Sequence, residues 1–384
     1  VSRAVPEFES FEQFVDLAAA ARSDAVRRDW VSRLERWVAR RGYPLLEDSL
    51  AHFLYVDAHA RSVTVPGDFN SWDVHADRMG RLEGTDLWYL TKRFPPDARL
   101  DYKFYVDGRW ILDPRNPRTV TGGFGPNSEL AMPAYVPAPE VEYREDIPHG
   151  EIRRVRHRNA ATGEERTIEV YLPPGYETAR DRYPALYVQD GGEYILLAQI
   201  DRIADHLIHR GHIRPVLLVC IPPVDRGREY RMNEAYLAYV VSQVVPYIDE
   251  NYRTVREPWA RGIMGASLGG LISAFISHRH PEVFGNCAGQ STYFGGIDGP
   301  MIRDLEESDR KPVRWYLDVG TFEVSLGGAD LVEENRYVRD LLGRKGYDVV
   351  YRECPEGHSW GSWRAHTDDI LRAFWPKAGG ERDG

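Results

Sequence analysis

From residue 150 onward, short and almost purely apolar runs alternate with amphipathic stretches, and few folds accommodate that alternation. The apolar runs fall at 185–188, 216–221, 260–264, 283–288, 313–319 and 348–351. The spacing predicts helices near 200–210, 236–251, 268–279, 330–344 and 362–375. A strand with no polar face is covered on both sides, and strands separated by helices run parallel. Two further strands, 152–158 and 167–172, flank the turn-rich segment Asn159 to Gly163. The expectation for this part is an α/β domain over 150–378 with a mostly parallel central sheet.

The first 140 residues read differently. Val26, Trp30, Leu34, Trp37 and Val38 recur at helical spacing and predict an apolar stripe, stopped by Gly42 and Pro44. This makes 1–45 a helical segment. Strand-like alternation follows at 53–56, 62–65, 87–94 and 99–106, and Asp107-Gly108 suits a two-residue hairpin turn before 109–112. The expectation is a small all-β sandwich over 46–140, joined to the α/β domain through a linker punctuated by Pro133, Pro137, Pro139 and Pro148.

Acidic residues outnumber basic ones, 59 to 49, for a formal charge of -10. Such a surface repels phosphate backbones, which argues against a nucleic-acid partner. The three cysteines, Cys220, Cys287 and Cys354, form no zinc or disulfide pattern. No stretch matches a membrane helix, and no basic-then-apolar leader opens the chain, so the expectation is a cytoplasmic protein without a membrane partner. The histidines lack metal-ligand spacing, and no cofactor or metal is expected. Oligomeric state is not legible.

Chemistry concentrates at Gly265-Ala266-Ser267-Leu268-Gly269-Gly270. The pattern G-x-S-x-G is common by chance. Here an apolar strand precedes it and an apolar helix follows, the setting of a nucleophile elbow. The glycines leave room for a tight turn, and the helix N-terminus aims N–H groups at a developing oxyanion. A serine hydroxyl needs a base. His358, in Pro355-Glu356-Gly357-His358-Ser359-Trp360, lies where an α/β-hydrolase carries it, and its rival His366 falls within the last helix. The acid should follow the 313–319 strand. Glu323 is the candidate, Asp330 the runner-up at a helix start, and Asp318 a third within the strand. The expected oxyanion donors are Leu268 and one N–H of the loop Gln189-Asp190-Gly191-Gly192-Glu193, assigned to Gly191 with Gly192 as the alternative. These residues predict a serine ester hydrolase working through an acyl-enzyme, with a non-catalytic binding protein on a hydrolase scaffold as the reading from another class.

Residues 150–376 resemble the enterochelin esterase group of the esterase D-like α/β-hydrolases. The resemblance is carried by Leu186 to Gly191, by Asp225-Arg226-Gly227-Arg228-Glu229-Tyr230, and by the elbow. It continues in Gly289-Gln290-Ser291, in Gly320-Thr321-Phe322-Glu323, and above all in Gly357-His358-Ser359-Trp360-Gly361-Ser362-Trp363-Arg364. It implies hydrolysis of a catecholate trilactone siderophore, a small-molecule partner that includes the ferric form, behind an N-terminal immunoglobulin-like sandwich. It makes Arg228 a candidate for an anionic substrate group, with a surface ion pair as its alternative, and makes Trp360 and Trp363 candidates for an aromatic pocket, with anchoring of the final helix the preferred role for Trp363. Val65-Pro66-Gly67-Asp68-Phe69-Asn70-Ser71-Trp72 resembles carbohydrate-binding modules of the glycogen-branching type, which implies a feruloyl or acetyl ester on a sugar instead. Packing of Phe69 and Trp72 inside the sandwich is the preferred role, because large aromatics beside a turn bury themselves.

Overall fold

The computed structural model describes residues 8–325 and 327–377. They divide into two compact units, Val1–Val136 with Pro355–Gly357, and Pro137–Cys354 with His358–Gly384.

The larger unit is built on an eight-stranded sheet. Its strands, numbered in chain order, are β1 (Glu151–Arg158), β2 (Glu165–Leu172), β3 (Ala185–Gln189), β4 (Leu217–Ile221), β5 (Arg261–Ala266), β6 (Asn286–Gln290), β7 (Arg314–Gly320) and β8 (Val349–Cys354). Their spatial order is β1-β2-β4-β3-β5-β6-β7-β8. β1, β2 and β4 pair antiparallel at one edge, and every neighbour from β4 onward is parallel. β3, β4, β5 and β6 are buried throughout, so each side of the sheet supports its own core. Ala185 and Tyr187 pack in one cluster with Ile263 and Phe275, whereas Leu186 and Val188 point the other way toward Met264, Tyr316 and Phe374. Alternate Cβ atoms on a pleated strand require this division.

The helices Ile200–His209, Leu268–Arg279, Leu331–Arg344 and Trp360–Phe374 stand where the periodicity places them. The predicted 236–251 helix is broken by one π-helical stretch, Val240–Val244, just before Pro246. Proline removes a backbone donor, and a π-turn absorbs the lost bond. Helix Leu268–Arg279 is buried from Gly269 through His278, as expected for a helix covered by several neighbours, and its buried Ser273 and Ser277 hydroxyls donate to the helix's own carbonyls. Strand register places the loops that matter for chemistry. Ala266 pairs with Gln290, and Gln290 with Asp318, so β5 and β6 end level with one another and β7 runs on past them to Gly320. Loops leaving them emerge at the carboxyl end of the sheet, where open parallel sheets hold their ligands.

The smaller unit holds antiparallel sheets of four, three and three strands. Asp107 and Gly108 both take positive φ in the expected hairpin between Phe104–Val106 and Arg109–Ile111. A second hairpin, Thr119–Gly122 with Gly125–Ala131, had no clear signal in the sequence. Only Val120, Ser128 and Leu130 of it are buried, too few to make a visible alternation. The predicted stripe of the helix Asp24–Val38 is shifted. Val31, Leu34, Trp37 and Val38 are buried, while Val26 is exposed, so Val31 takes the place expected of Val26. A further helix, Phe11–Ala19, precedes it and buries Phe11 and Phe14 in the same cluster. Phe69 lies between Phe53 and Phe94, with ring centroids 5.8 and 5.3 Å away. Trp72 is half-buried and donates its indole N–H to Asp68, 3.0 Å away, and its ring stands 6.2 Å from that of the exposed Trp110.

Candidate active site

Ser267 sits between β5 and the helix Leu268–Arg279, with φ 56° and ψ -118°. Few non-glycine residues adopt such a backbone, and holding it costs about 1–3 kcal/mol. Its N–H donates to the Gln290 carbonyl at 2.8 Å, which ties the turn to the end of β6. The neighbouring glycines answer to crowding. A Cβ on Gly265 would come 2.5 Å from the Gly269 backbone, and one on Gly270 would come 2.4 Å from Thr292 Oγ1. The unusual dihedral therefore falls on the serine itself, and the glycines let strand and helix approach closely enough to enforce it.

His358 and Ser267 line one cleft of about 370 Å³ together with Arg231, Tyr293, Gly327, Gly328, Ala329 and Leu331. His358 Nδ1 lies 2.6 Å from Glu323 Oε2. Glu323 is 1% exposed, and its other oxygen accepts from the Gly320 N–H at 2.8 Å and the Ser291 hydroxyl at 2.6 Å. The carboxylate is thus held on both oxygens, and the imidazole is held by the carboxylate. That arrangement leaves Nε2 as the free nitrogen, able to exchange a proton with a hydroxyl in the cleft.

The remaining carboxylates near β7 are committed elsewhere. Asp330 caps the helix Leu331–Arg344, accepting from the Glu333 N–H at 2.9 Å. Asp318 is buried in β7 and accepts from Gln290 Nε2 at 3.1 Å. Burial pushes its acid up to about 7, against the opposing influence of His366 and the Gln290 hydrogen bond. Such an acid stays protonated in the folded protein between its unfolded range near 3.8 and about 7, so its contribution to stability is lost as pH rises through that window. Asp318→Asn is therefore expected to gain up to about 4 kcal/mol over the wild type at pH 8 and almost nothing near pH 4. Melting temperatures at the two pH values test this, and an equal gain at both would refute it.

Leu268 opens its helix, where the helical ladder offers its N–H no acceptor. Gly191 opens the short helix Gly191–Leu196 and is packed against β4, where a Cβ would meet the Cys220 carbonyl carbon at 2.2 Å. Its neighbour Asp190 donates its N–H to Tyr230 Oη at 2.8 Å and receives Arg226 on both carboxylate oxygens. Three arginines within six residues go three ways. Arg226 binds Asp190, Arg228 turns outward to pair with Glu164, and Arg231 lines the cleft. Among the described residues Arg231 has no carboxylate partner. The sequence offered no means of choosing it, because the short helix Arg226–Glu229, capped by Asp225, decides which way each guanidinium points. Trp360 is 9% exposed and packs edge-on between Tyr194 and Trp363, inside the core. His366 stands in the last helix beside Cys354 and Asp369. No cluster of metal-ligating side chains and no helix long and apolar enough to cross a membrane occurs among the described residues.

Comparison with known proteins bears on the family and the fold. Residues 159–374 match the family model described as "Putative esterase". An endo-1,4-beta-xylanase/feruloyl esterase of Xylanibacter ruminicola is 29% identical over 258 residues, which are 62% of this chain and 34% of that protein, so the chain spans about a third of that relative. The enterobactin esterase of Shigella flexneri superposes with a TM-score of 0.73 at 21% identity, over 86% of this chain and 94% of that one. A ferulic acid esterase of Anaeromyces mucronatus superposes with a TM-score of 0.53 at 18% identity, over 62% of this chain and 96% of that one. At such identities the superpositions speak for the fold, an α/β-hydrolase preceded by a small β domain. The family match covers more than half of the chain and includes β5, the Ser267 turn and the His358 segment, and on it the chain belongs to the esterase family.

Proposed function

We propose that this esterase uses Ser267 as nucleophile, His358 as general base and Glu323 as the acid that orients the base. The observation that carries the reading is the Glu323–His358 contact of 2.6 Å in a cleft that also presents the strained Ser267. His358 takes the Ser267 proton as the hydroxyl attacks an ester carbonyl. The Leu268 N–H, with one from the Gly191 loop, receives the oxyanion. The alcohol leaves with the proton that His358 returns, and water repeats the sequence on the acyl-enzyme.

For the substrate we infer a catecholate trilactone siderophore, including its ferric complex. Two observations support it. The enterobactin esterase superposes over 86% of the chain, whereas the ferulic acid esterase superposes over 62%. The cleft also presents Arg231 without a carboxylate partner among the described residues, and a guanidinium suits an anionic catecholate. A feruloyl ester is the second reading, favoured by the xylanase/feruloyl esterase relative.

Hydrolysis of enterobactin, its ferric complex, methyl ferulate and acetylated xylan separates the readings. Turnover of the trilactone supports the first, and turnover of the ferulate or acetyl esters alone replaces it with the second. Failure of a fluorophosphonate to label Ser267 in folded protein would move the chain to the binding class. Arg231→Gln is expected to raise KM for the ferric trilactone by about 10- to 100-fold. It should leave KM for neutral p-nitrophenyl acetate within about two-fold, because a neutral ester offers the guanidinium no charge to meet. An equal rise for both esters would assign Arg231 a structural role.

A further inference from the structure

One hydrogen-bond chain behind the cleft takes no part in the acyl-transfer steps. Trp363 donates its indole N–H to Ser291 Oγ at 2.9 Å, and Ser291 donates its hydroxyl to Glu323 Oε1 at 2.6 Å. The opposite oxygen of that carboxylate meets His358. Ser291 is 1% exposed and takes φ 47°, with its N–H donated to the Asp318 carbonyl at 2.7 Å. That unusual backbone comes directly after β6 and turns the hydroxyl toward the acid. The Trp363 ring meets His358 edge-on at 5.0 Å, so one side chain touches both ends of the chain.

We propose that Ser291 and Trp363 are positioning residues for the Glu323–His358 pair. A buried carboxylate rotates about its terminal torsion unless both oxygens are held. The Gly320 N–H supplies one donor to Oε1, and Ser291 supplies the second. The indole N–H of Trp363 can only donate and the Glu323 carboxylate can only accept, so the Ser291 hydroxyl between them accepts from the first and donates to the second, which sets the direction of the whole chain. With Oε1 fixed, Oε2 stays in line with His358 Nδ1, and the imidazole presents Nε2 to the cleft. The consequence lies in the reacting geometry, and substrate binding is untouched.

This inference rests on the serine-esterase reading, and its test keeps the two apart. Ser291→Ala and Ser291→Gly are expected to lower kcat for p-nitrophenyl acetate by about ten-fold, equivalent to the loss of one charge-assisted hydrogen bond, with KM unchanged. Both variants remove the hydroxyl, but glycine accepts φ 47° without strain. If backbone strain at Ser291 were the cause, Ser291→Gly would match the wild type, and that result would overturn the proposal. Trp363→Phe keeps a ring against His358, removes the indole donor, and should lower kcat by a smaller factor. The readout independent of turnover is the low-field proton resonance of His358 Nδ1–H, assigned by its loss in His358→Ala. It should shift in both Ser291 variants. A wild type that hydrolyses esters while the Ser291 variants leave kcat and the resonance unchanged overturns the positioning role alone. A wild type inactive on all esters, whose resonance still shifts in Ser291→Ala, overturns the esterase reading and leaves the linkage to Glu323 standing.

Discussion

Ser267→Ala is expected to lower kcat for every ester the protein hydrolyses by about 10⁵- to 10⁶-fold, because no acyl-enzyme forms without the nucleophile. The residual rate comes from the oxyanion donors and the cleft, which the substitution leaves in place. The fold should not suffer. Ser267 accepts no cap bond through its side chain, and its backbone is held by the Gln290 carbonyl, which alanine retains. The positive φ of 56° offers a second comparison. Glycine occupies that region freely, so Ser267→Gly should melt higher than Ser267→Ala, by the equivalent of about 1 kcal/mol. Steady-state rates, a pre-steady-state burst in the wild type and two melting curves check both expectations. Retention of more than a hundredth of the activity in Ser267→Ala would reject the nucleophile assignment.

Glu323→Gln should cost about 10⁴-fold in kcat, through the tautomer of His358 and with little loss of packing. Oε1 of Glu323 faces two donors, the Gly320 N–H and the Ser291 hydroxyl, so a glutamine in its place turns its carbonyl oxygen toward them. Its amide NH₂ is then left facing His358 Nδ1, where the carboxylate oxygen stands at 2.6 Å. An NH₂ there demands a lone pair on Nδ1 and drives the imidazole proton to Nε2. A base with its proton on Nε2 cannot accept one from Ser267. Asp330→Asn is the control. It keeps a side chain able to cap the helix Leu331–Arg344 and should leave kcat unchanged. A Glu323→Gln enzyme within ten-fold of wild type, or an Asp330→Asn enzyme that loses as much, would move the acid away from Glu323.

The same residues mark where local pattern stops being informative. Alternating apolar runs and amphipathic stretches are written into neighbouring positions, because a pleated strand repeats every two residues and a helix every 3.6. The parallel sheet, its long helices and the strand-to-helix turn at Ser267 were legible for that reason. The hairpin Thr119–Gly122 with Gly125–Ala131 was not, since so few of its side chains are buried that no period survives. Among Asp318, Glu323 and Asp330, composition and spacing cannot say which carboxylate meets a histidine 35 residues beyond Glu323. Pairing of Gln290 with Asp318 in β6 and β7 decides it, because β7 then runs past the end of β6 to Gly320, and the turn after it brings Glu323 against Ser291 and His358.

Tertiary structure likewise chose among Arg226, Arg228 and Arg231, turned Trp360 into the core, and joined Trp363 to Ser291 across 72 residues of sequence. The sequence by itself determined the kind of sheet, the place of the turn that strains Ser267, and the set of polar residues available around it. Which of those residues touch was settled only when the strands paired in register, because a hydrogen bond between distant side chains depends on a position in space that no local period encodes.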